Sequence, residues 1–283
     1  MSTPAGPSDL RAIRGPSALG GDVCRFLNLL LTLATTDFKL RFFGSTLGYV
    51  WQLVRPLLLF GVLFVVFTQF VRLGNGVAFY PVVLLTGIVL YSFFAEATAG
   101  SVTSVIDRES LVRKIHFPRM VIPLGVVLVA YFNLVLNLLA VFVFMVATGV
   151  RPHLSWLELP LLLLALGVMA TGVAMLLSAL YVRFRDVKPI WEVLLQVLFY
   201  GSPVLYAIET IPSERIQSLL MLSPLAAILQ QIRHAVIDPV APSAAEAAGG
   251  AIWLSVPIVL VAGVFMLGLF VFNREAPRIA EEL

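Results

Sequence analysis

The residue types that bind nucleotides or metals are few in this chain, and none has the spacing that such chemistry needs. A phosphate-binding P-loop requires a lysine followed by Ser or Thr after a glycine-rich turn, because the loop amides and the lysine together hold the phosphates. The chain has three lysines, Lys39, Lys114 and Lys188, and they precede Leu, Ile and Pro. Its three histidines and single cysteine lack the ligand spacing of a metal site. The sequence therefore predicts no catalytic site, no metal site and no cofactor bound by this chain.

A charged segment over residues 106–123 separates two long apolar runs, in a chain of which only 12% is charged. Its acidic residues Asp107 and Glu109 would lie in the first turn of a helix, where the helix dipole favours anions, with Arg113 and Lys114 nearer the end. The apolar residues between them follow helical spacing, so one side of this helix is apolar and the other is charged. Such a helix suits docking to a soluble partner, and an ordinary cytoplasmic loop is the alternative interpretation.

Few acidic side chains fall inside the predicted membrane spans: Glu96, Glu192 and, at the start of the fourth span, Glu158. Ion-driven transport would need a richer relay of buried ionisable groups. For Glu96 two interpretations stay open: an ion pair with Arg108 or an arginine of a second copy, and direct contact with a substrate. The energy for any transport is therefore expected to come from another protein.

The composition is that of a polytopic membrane protein. Of the 283 residues 60% are hydrophobic, and the mean hydropathy is +0.98. The apolar runs are far longer than the roughly ten-residue alternating strands of a membrane barrel. The sequence therefore predicts an all-α fold with six transmembrane helices. The predicted spans cover about residues 51–71, 79–105, 120–148, 157–182, 189–207 and 251–272.

The six spans lie within a predicted transmembrane domain of residues 44–272, and further elements are predicted inside and on either side of it. They are a disordered cytoplasmic tail over residues 1–20, an amphipathic interface helix over residues 21–43, short re-entrant extracytoplasmic helices over residues 209–238 and a cytoplasmic tail over residues 273–283. The interface helix is predicted because polar side chains recur every three or four residues there. The re-entrant helices are predicted because the apolar stretch there is too short to span a membrane and is broken by Ser223-Pro224.

The distribution of positive charge predicts the orientation. Fifteen of the 19 Lys and Arg residues lie in the N-terminal segment, in the 107–119 segment, at residues 183–188 and in the C-terminal tail. By the positive-inside rule these parts, and with them both termini, face the cytoplasm.

Four segments carry a resemblance to a known family. They are FGSTLGYVWQLVRPL at 43–57, LVRKIHFPRMVIPL at 111–124, VRFRDVKPI and SPVLY within 182–206, and SPLAAILQQIRHAVI at 223–237. In this order and spacing they resemble the permease subunits of type-2 ABC exporters. The most similar branch exports lipid-linked polysaccharides such as O-antigen, teichoic acid, capsule or galactan.

The resemblance implies a multi-pass protein of the bacterial inner (plasma) membrane. It implies a homodimer of this chain, bound to two copies of a separate ABC subunit that carries ATP and Mg. The expected substrate is a lipid-linked polysaccharide, moved outward along a path at the dimer interface. No nucleic acid is expected as a partner.

Three groups of residues acquire roles from this resemblance. The 209–238 helices would form the extracytoplasmic gate. The ATPase-coupling helix would consist of residues 107–117, namely Asp107, Arg108, Glu109, Leu111, Val112, Arg113, Lys114, Ile115, His116 and Phe117. The loop from Gly44 to Gly48 would lie near the entrance for the lipid headgroup, and the nearby Arg41 and Arg55 are candidates to receive that headgroup. Arginine suits a pyrophosphate headgroup because its planar fork makes two-point contacts with phosphate.

Aromatic side chains are the candidates for the sugar path. Phe60, Phe64 and Phe67 recur at helical spacing on the first span, and aromatic faces stack on sugar rings without a fixed hydrogen-bond register. Packing or lipid-facing aromatics are the alternative. The same two interpretations apply to Tyr91, Phe94, Tyr200 and Tyr206. Small residues on the fourth span predict close helix packing.

The sequence as a whole predicts the permease subunit of an ATP-driven polysaccharide exporter, which is not itself an enzyme. An exporter of a drug or small lipid from the same superfamily is the first alternative. An ion-coupled secondary transporter is disfavoured by the scarcity of buried charge. A membrane glycosyltransferase would need an acidic metal or nucleotide-sugar site on a sizeable cytoplasmic loop, and no predicted loop is long enough.

Overall fold

The computed structural model describes residues 23–42, 48, 50–71, 76–109 and 118–276. Within these ranges all regular structure is helical. The α-helices are α1 (Val23–Phe42), α2 (Val50–Val65), α3 (Tyr80–Val102), α4 (Val121–Ala147), α5 (Leu159–Arg183), α6 (Val187–Gly201), α7 (Glu214–Met221), α8 (Pro224–Ile232), α9 (Ala244–Ala247) and α10 (Ser255–Glu275). The predicted tail of residues 1–20 and the last residues, 277–283, lie outside the described ranges.

Five of the six predicted spans are confirmed as helices long and apolar enough to cross a membrane. Each consists of α2, α3, α4, α5 or α10 with any adjoining helical turn. Their bounds are Val50–Phe70, Tyr80–Val102, Val121–Ala147, Leu154–Arg183 and Ala251–Glu275. At 1.5 Å per residue these helices are about 30 Å or longer, which matches the hydrocarbon thickness of a bilayer.

The predicted span over residues 189–207 is shorter than expected. The helix there, α6, has 15 residues and ends at Gly201, which gives a length of about 22 Å. Ser202 takes an extended conformation, and Pro203 follows it. The chain then passes against α3, where a Cβ on Gly87 would lie 3.0 Å from the Val204 carbonyl oxygen. The apolar run continues beyond Gly201, but its last residues form a turn rather than a further part of the helix.

The region predicted to contain two short helices does contain them. Glu214–Met221 and Pro224–Ile237 meet at an angle of 103° across Ser223-Pro224. Proline at the first position of α8 is compatible with a helix start but cannot continue the helix before it. Counted as one bent span, this pair would be the sixth membrane segment among the described residues.

The predicted amphipathic helix over residues 21–43 is α1. It carries Lys39 and Arg41 in its last turn, where cations interact favourably with the helix dipole. One side of α1 packs on α4, with Phe38 and Phe132 in edge-to-face contact at 5.5 Å, and most of its other side chains are exposed. It is not among the candidate membrane spans of the described residues.

Helix α3 is the centre of the bundle. Its buried side chains run along nearly its whole length, from Tyr80 to Val102, and it packs against α2, α4, α5 and α6. At one end of the bundle, Val105, Met120 and Phe272 belong to an apolar cluster that joins the connection after α3 to α5 and α10. We call this the charged end, because the arginines at positions 108, 119, 183 and 274 are found there.

The short helices occupy the opposite end. Trp156 donates from its indole nitrogen to the Val236 carbonyl at 2.9 Å, and Ser155 donates to the Ala235 carbonyl at 2.6 Å. These bonds hold the turn before α5 against the last turn of the bent helix pair. Ser243 and Glu246 form a capping box that starts α9.

Helices α5 and α10 meet through two glycines. A Cβ on Gly268 would lie 2.1 Å from the Gly172 carbonyl oxygen, and a Cβ on Gly172 would lie 2.6 Å from the Cα of Phe265. Both distances are below contact, so the two backbones approach closely only because these positions have no side chain. Close packing was predicted for this span, but Gly172 and Gly268 were not singled out.

Candidate functional site

A cleft of about 1280 Å³ opens beside α3 on its half nearer the charged end. Its walls come from α2, α3 and α6, whose lining residues recur every three or four positions because one helical face is turned towards the cleft. The lining residues are Trp51, Gln52, Arg55, Pro56 and Leu59 of α2, Tyr91, Ser92, Ala95, Glu96 and Gly100 of α3, Leu195, Gln196, Phe199 and Tyr200 of α6, and Arg41, Gly48 and Asn137.

The cleft is polar at one end and aromatic at the other. Small residues of α3 leave room near Arg41 and Glu96, at the end where α1 stops. Farther from the charged end, Tyr91 meets Phe199 with ring centroids 4.8 Å apart, and Phe199 meets Tyr200 at 5.3 Å. Such a cleft can accept an anionic group at its polar end and a ring with apolar faces at its aromatic end.

Glu96 is paired with Arg41 across the polar end. The guanidinium of Arg41 donates to Oε1 of Glu96, and Asn133 donates to the same oxygen at 2.7 Å. The side chains of Arg41 and Glu96 are 42% and 30% exposed. The predicted pair of Glu96 with Arg108 is therefore wrong, because Arg41 holds this carboxylate and Arg108 binds elsewhere.

Arg108 pairs with Asp37 of α1 instead. Asp37 and Arg41 are four residues apart, so they share one face of the helix. Two separate ion pairs thus fix the last turns of α1, one to the residues that follow α3 and one to α3 itself. Sequence reasoning missed Asp37, because its partner is 71 residues away.

The predicted coupling helix is described only at its start. Asp107 accepts a hydrogen bond from the Thr103 hydroxyl at 2.7 Å, and the amide of Glu109 donates to the Ile106 carbonyl at 3.0 Å. The remaining predicted coupling residues lie outside the described ranges: Leu111, Val112, Arg113, Lys114, Ile115, His116 and Phe117. The docking role of this segment stays a prediction.

Three of the four predicted headgroup residues line the same cleft. These are Arg41, Gly48 and Arg55, whereas Gly44 lies outside the described residues. Arg55 is exposed, and within the part of the chain that the structure describes it has no ion pair. Its guanidinium is therefore available to an anion that enters the cleft.

The predicted path aromatics divide into two groups. Tyr91 and Tyr200 line the cleft, and the hydroxyl of Tyr91 donates to the Leu195 carbonyl. The others pack into the bundle: Phe60, Phe64, Phe67 and Tyr206 are partly buried against the core, and Phe94 is completely buried. Phe60 stacks on Phe64 at 5.6 Å and meets Phe144 edge-to-face at 5.6 Å. Their role in a substrate path stays a prediction.

A second charged group lies at the opposite end, in the predicted gate region. Arg233 is 5% exposed and donates to both carboxylate oxygens of Glu209, at 2.7 and 2.5 Å, with Asp238 at 4.0 Å. Burial alone would raise the pKa of Glu209, but the hydrogen bonds and the positive charge of Arg233 outweigh it and hold that pKa below its ordinary value. This pair ties the start of the region to the end of the bent helix pair.

The described residues contain no group of three or more His, Cys, Asp or Glu side chains that could hold a metal ion.

Comparisons with known proteins agree on one family. Residues 28–237 match the family described as ABC-2 type transporter. The chain is 29% identical over 259 residues to the O-antigen export system permease protein RfbA of Klebsiella pneumoniae, which covers 90% of this chain and 95% of that protein. It is 29% identical to the protein of the same name in Myxococcus xanthus, over 74% of this chain and 80% of that protein. It is 24% identical to the polysialic acid transport protein KpsM of Escherichia coli, over 71% and 78%.

Proposed function

Because this chain belongs to the ABC-2 type transporter family, we propose that it is the membrane subunit of an ATP-driven exporter of a lipid-linked polysaccharide. The relatives are named for O-antigen export and polysialic acid transport, which supports a glycan as cargo. O-antigen, galactan, teichoic acid and capsule all belong to this class. The chain would be a multi-pass protein of the bacterial plasma membrane.

Energy would come from a partner. Membership of an ABC family implies a separate ATP-binding subunit, and the absence of a P-loop lysine in the sequence supports this division of labour. Two copies of that subunit, each holding ATP and Mg, would dock on residues 107–117 at the charged end. By the positive-inside rule this end would face the cytoplasm and the 209–238 helices the outside.

A second copy of the chain would complete the transport path. None of the residues from Val50 to Phe70 is buried in the single chain, although Leu58 and Val62 of this helix are large and apolar. Lipid or a second subunit can cover such a surface. A homodimer in which α2 faces its counterpart would enclose the cleft, which is open in the single chain.

The cleft carries the proposal. Its polar end contains Arg41 and Arg55 and its other end contains Tyr91 and Tyr200, which suits a molecule with a phosphate at one end and sugar rings beyond it. A volume of about 1280 Å³ exceeds the 300–1,000 Å³ that is typical of drug-sized pockets. This favours a large amphiphile over the alternative, an exporter of a drug or small lipid.

The test is reconstitution of the chain with its ATPase subunit in vesicles that contain a lipid-linked polysaccharide. We expect ATP-dependent movement of the glycan to the opposite leaflet, detected by its accessibility to a glycan-cleaving enzyme. Arg55→Gln should reduce this rate, whereas Arg151→Gln, an exposed arginine outside the cleft, should not. Transport by the chain without the ATPase, or equal export of a drug with no glycan export, would contradict the proposal.

A further inference from the structure

The polar end of the cleft contains an anion supplied by the chain itself. Among the described residues that line the cleft, the charged ones are Arg41, Arg55 and Glu96. Arg41 is bonded to Glu96, whereas Arg55 has no ion pair with any described residue. The carboxylate therefore neutralises one of the two positive charges that a phosphorylated cargo would meet.

We propose that Glu96 is an internal competitor for the cargo's phosphate or pyrophosphate group, and that the group displaces Glu96 from Arg41 when it binds. This inference rests on the proposed function, because it assumes a phosphorylated lipid as the cargo. A guanidinium offers its planar fork to carboxylate and phosphate in the same way, so the two anions compete for one set of donors. A pyrophosphate carries more negative charge than a carboxylate, and the cleft that it would enter is lined by both Arg41 and Arg55.

The surroundings of Glu96 make this exchange feasible. The side chains of Arg41 and Glu96 are 42% and 30% exposed, and ion pairs in contact with water are weak because water solvates the separated charges. Asn133, which is buried, donates to Glu96 at 2.7 Å. Asn133 lies on α4, and its hydrogen bond would hold the Glu96 carboxylate against α4 after Arg41 has left. The released Glu96 therefore retains a hydrogen bond.

The exchange would also change what α1 is attached to. While Arg41 binds Glu96, α1 is fixed both to α3 and, through Asp37, to Arg108. Once the cargo has taken Arg41, the pair of Asp37 with Arg108 still connects α1 to the residues that follow α3. Because Glu96 competes for Arg41, the cargo must bind Arg41 more tightly than Glu96 does in order to release α1 from α3.

The test measures binding of farnesyl pyrophosphate, a short prenyl pyrophosphate, to the full chain in nanodiscs of phosphatidylcholine, with farnesol as the uncharged control. Glu96→Gln removes the competing charge and should lower the Kd by about two- to fivefold, the range expected for a partly exposed ion pair. Glu96→Asp keeps the charge but withdraws the carboxylate from Arg41 by one methylene group, so its Kd should lie between those of Glu96→Gln and the wild type. Glu96→Ala provides the same comparison should the Gln variant fail to fold.

A double-variant cycle separates competition for Arg41 from a general charge effect. In an Arg41→Gln background Glu96 has no guanidinium to compete for, so Glu96→Gln should no longer tighten binding of the probe. The same tightening with and without Arg41 would overturn the proposal, as would an unchanged Kd in Glu96→Gln.

The outcome also distinguishes this inference from the proposed function. If the wild type binds the probe and Arg55→Gln weakens that binding, but Glu96→Gln has no effect, then only the inference that Glu96 competes for Arg41 is wrong. If neither the wild type nor any variant binds farnesyl pyrophosphate better than farnesol, the cleft does not receive a phosphorylated lipid and the proposed entrance fails as well.

Discussion

Asp37 and Arg41 lie one helical turn apart on α1, and their side chains pair with different parts of the molecule, Asp37 with Arg108 and Arg41 with Glu96. Arg108 is close to the start of the predicted coupling segment, and Glu96 lines the cleft. A short rigid helix therefore connects the two places where a partner and a cargo are expected to bind.

The pair of Asp37 with Arg108 is expected to matter for coupling. Arg108→Asp places two carboxylates together, and Asp37→Arg places two guanidinium groups together, so each should lower ATP-driven export by roughly two- to tenfold. The double variant restores opposite charges and should recover much of the loss. Export by the reconstituted complex measures the effect. No recovery in the double variant would mean that Asp37 and Arg108 act separately.

The predicted docking role of residues 107–117 has its own test. Glu109→Arg together with Arg113→Glu reverses the charge pattern that a partner would meet, while leaving insertion into the membrane intact. The complex should then continue to hydrolyse ATP while export falls. Lys188→Glu, an exposed charge at the same end of the bundle, is the matched control. Unchanged export in the double variant would remove this segment from the docking surface.

The helices were predictable because their cause is local. Long apolar runs, positive charges at their ends and the break at Ser223-Pro224 are visible in the sequence, and the structure confirms five spans and the bent helix pair. The length of α6 was not predictable from hydropathy, because the apolar run continues through a turn that packs against Gly87. Backbone approach is a tertiary effect that leaves no mark on hydropathy.

The partners of the charged residues were not predictable for a different reason. Glu96 meets Arg41, which is 55 residues away, and Arg108, which is nearer in sequence, meets Asp37. Choosing between two arginines requires the path of α1 over α4, which depends on packing rather than on any local pattern. Three of the four predicted headgroup residues, Arg41, Gly48 and Arg55, nonetheless line one cleft, and their role at a headgroup entrance stays a prediction.

The contact of α5 with α10 predicts a loss of stability from a single methyl group. Gly268→Ala would put a Cβ 2.1 Å from the Gly172 carbonyl oxygen, so the helices must separate, at a cost of about 1–3 kcal/mol. Gly263→Ala on the same helix has no atom within 4 Å and should be neutral or slightly stabilising. Thermal unfolding in detergent measures both. Equal melting temperatures for Gly268→Ala and the wild type would show that the two helices can separate without loss of stability.

The pair of Glu209 with Arg233 predicts a pH-dependent contribution to stability. Because the pKa of Glu209 lies below its ordinary value of 4.5, the pair stabilises the fold above that value, and this contribution is lost as the pH falls through the lowered pKa. Glu209→Gln replaces the carboxylate nearest to the buried Arg233 by a neutral amide and leaves the more distant Asp238 at 4.0 Å. It should lower stability at pH 7 by about 1–3 kcal/mol.

The difference between wild type and Glu209→Gln is the quantity to follow. It should be present from pH 7 down to 4.5 and should shrink as the pH falls through the lowered pKa of Glu209, because the wild-type carboxyl then becomes neutral as well. Glu214→Gln, in the exposed first turn of α7, is the control. A stability difference that does not change with pH would show that the substitution acts through altered packing and not through the charge of Glu209.

The aromatic side chains give the last prediction, because the structure separates those that line the cleft from those that pack. Tyr200 is 67% exposed, so Tyr200→Ala should leave the melting temperature unchanged and lower glycan export if sugar rings stack there. Phe60 lies between Phe64 and Phe144, so Phe60→Ala should lower stability by about 1–3 kcal/mol through lost packing.

Measured together, export and melting temperature distinguish the two roles. Phe60→Leu preserves most of the apolar volume and should restore stability; if it also restores export, then Phe60 acts by packing against α4. A loss of export in Phe60→Leu at normal stability would instead show that an aromatic ring is needed there, as expected for a sugar path that extends along α2 beyond the cleft. Normal export in Tyr200→Ala would exclude stacking at the aromatic end of the cleft.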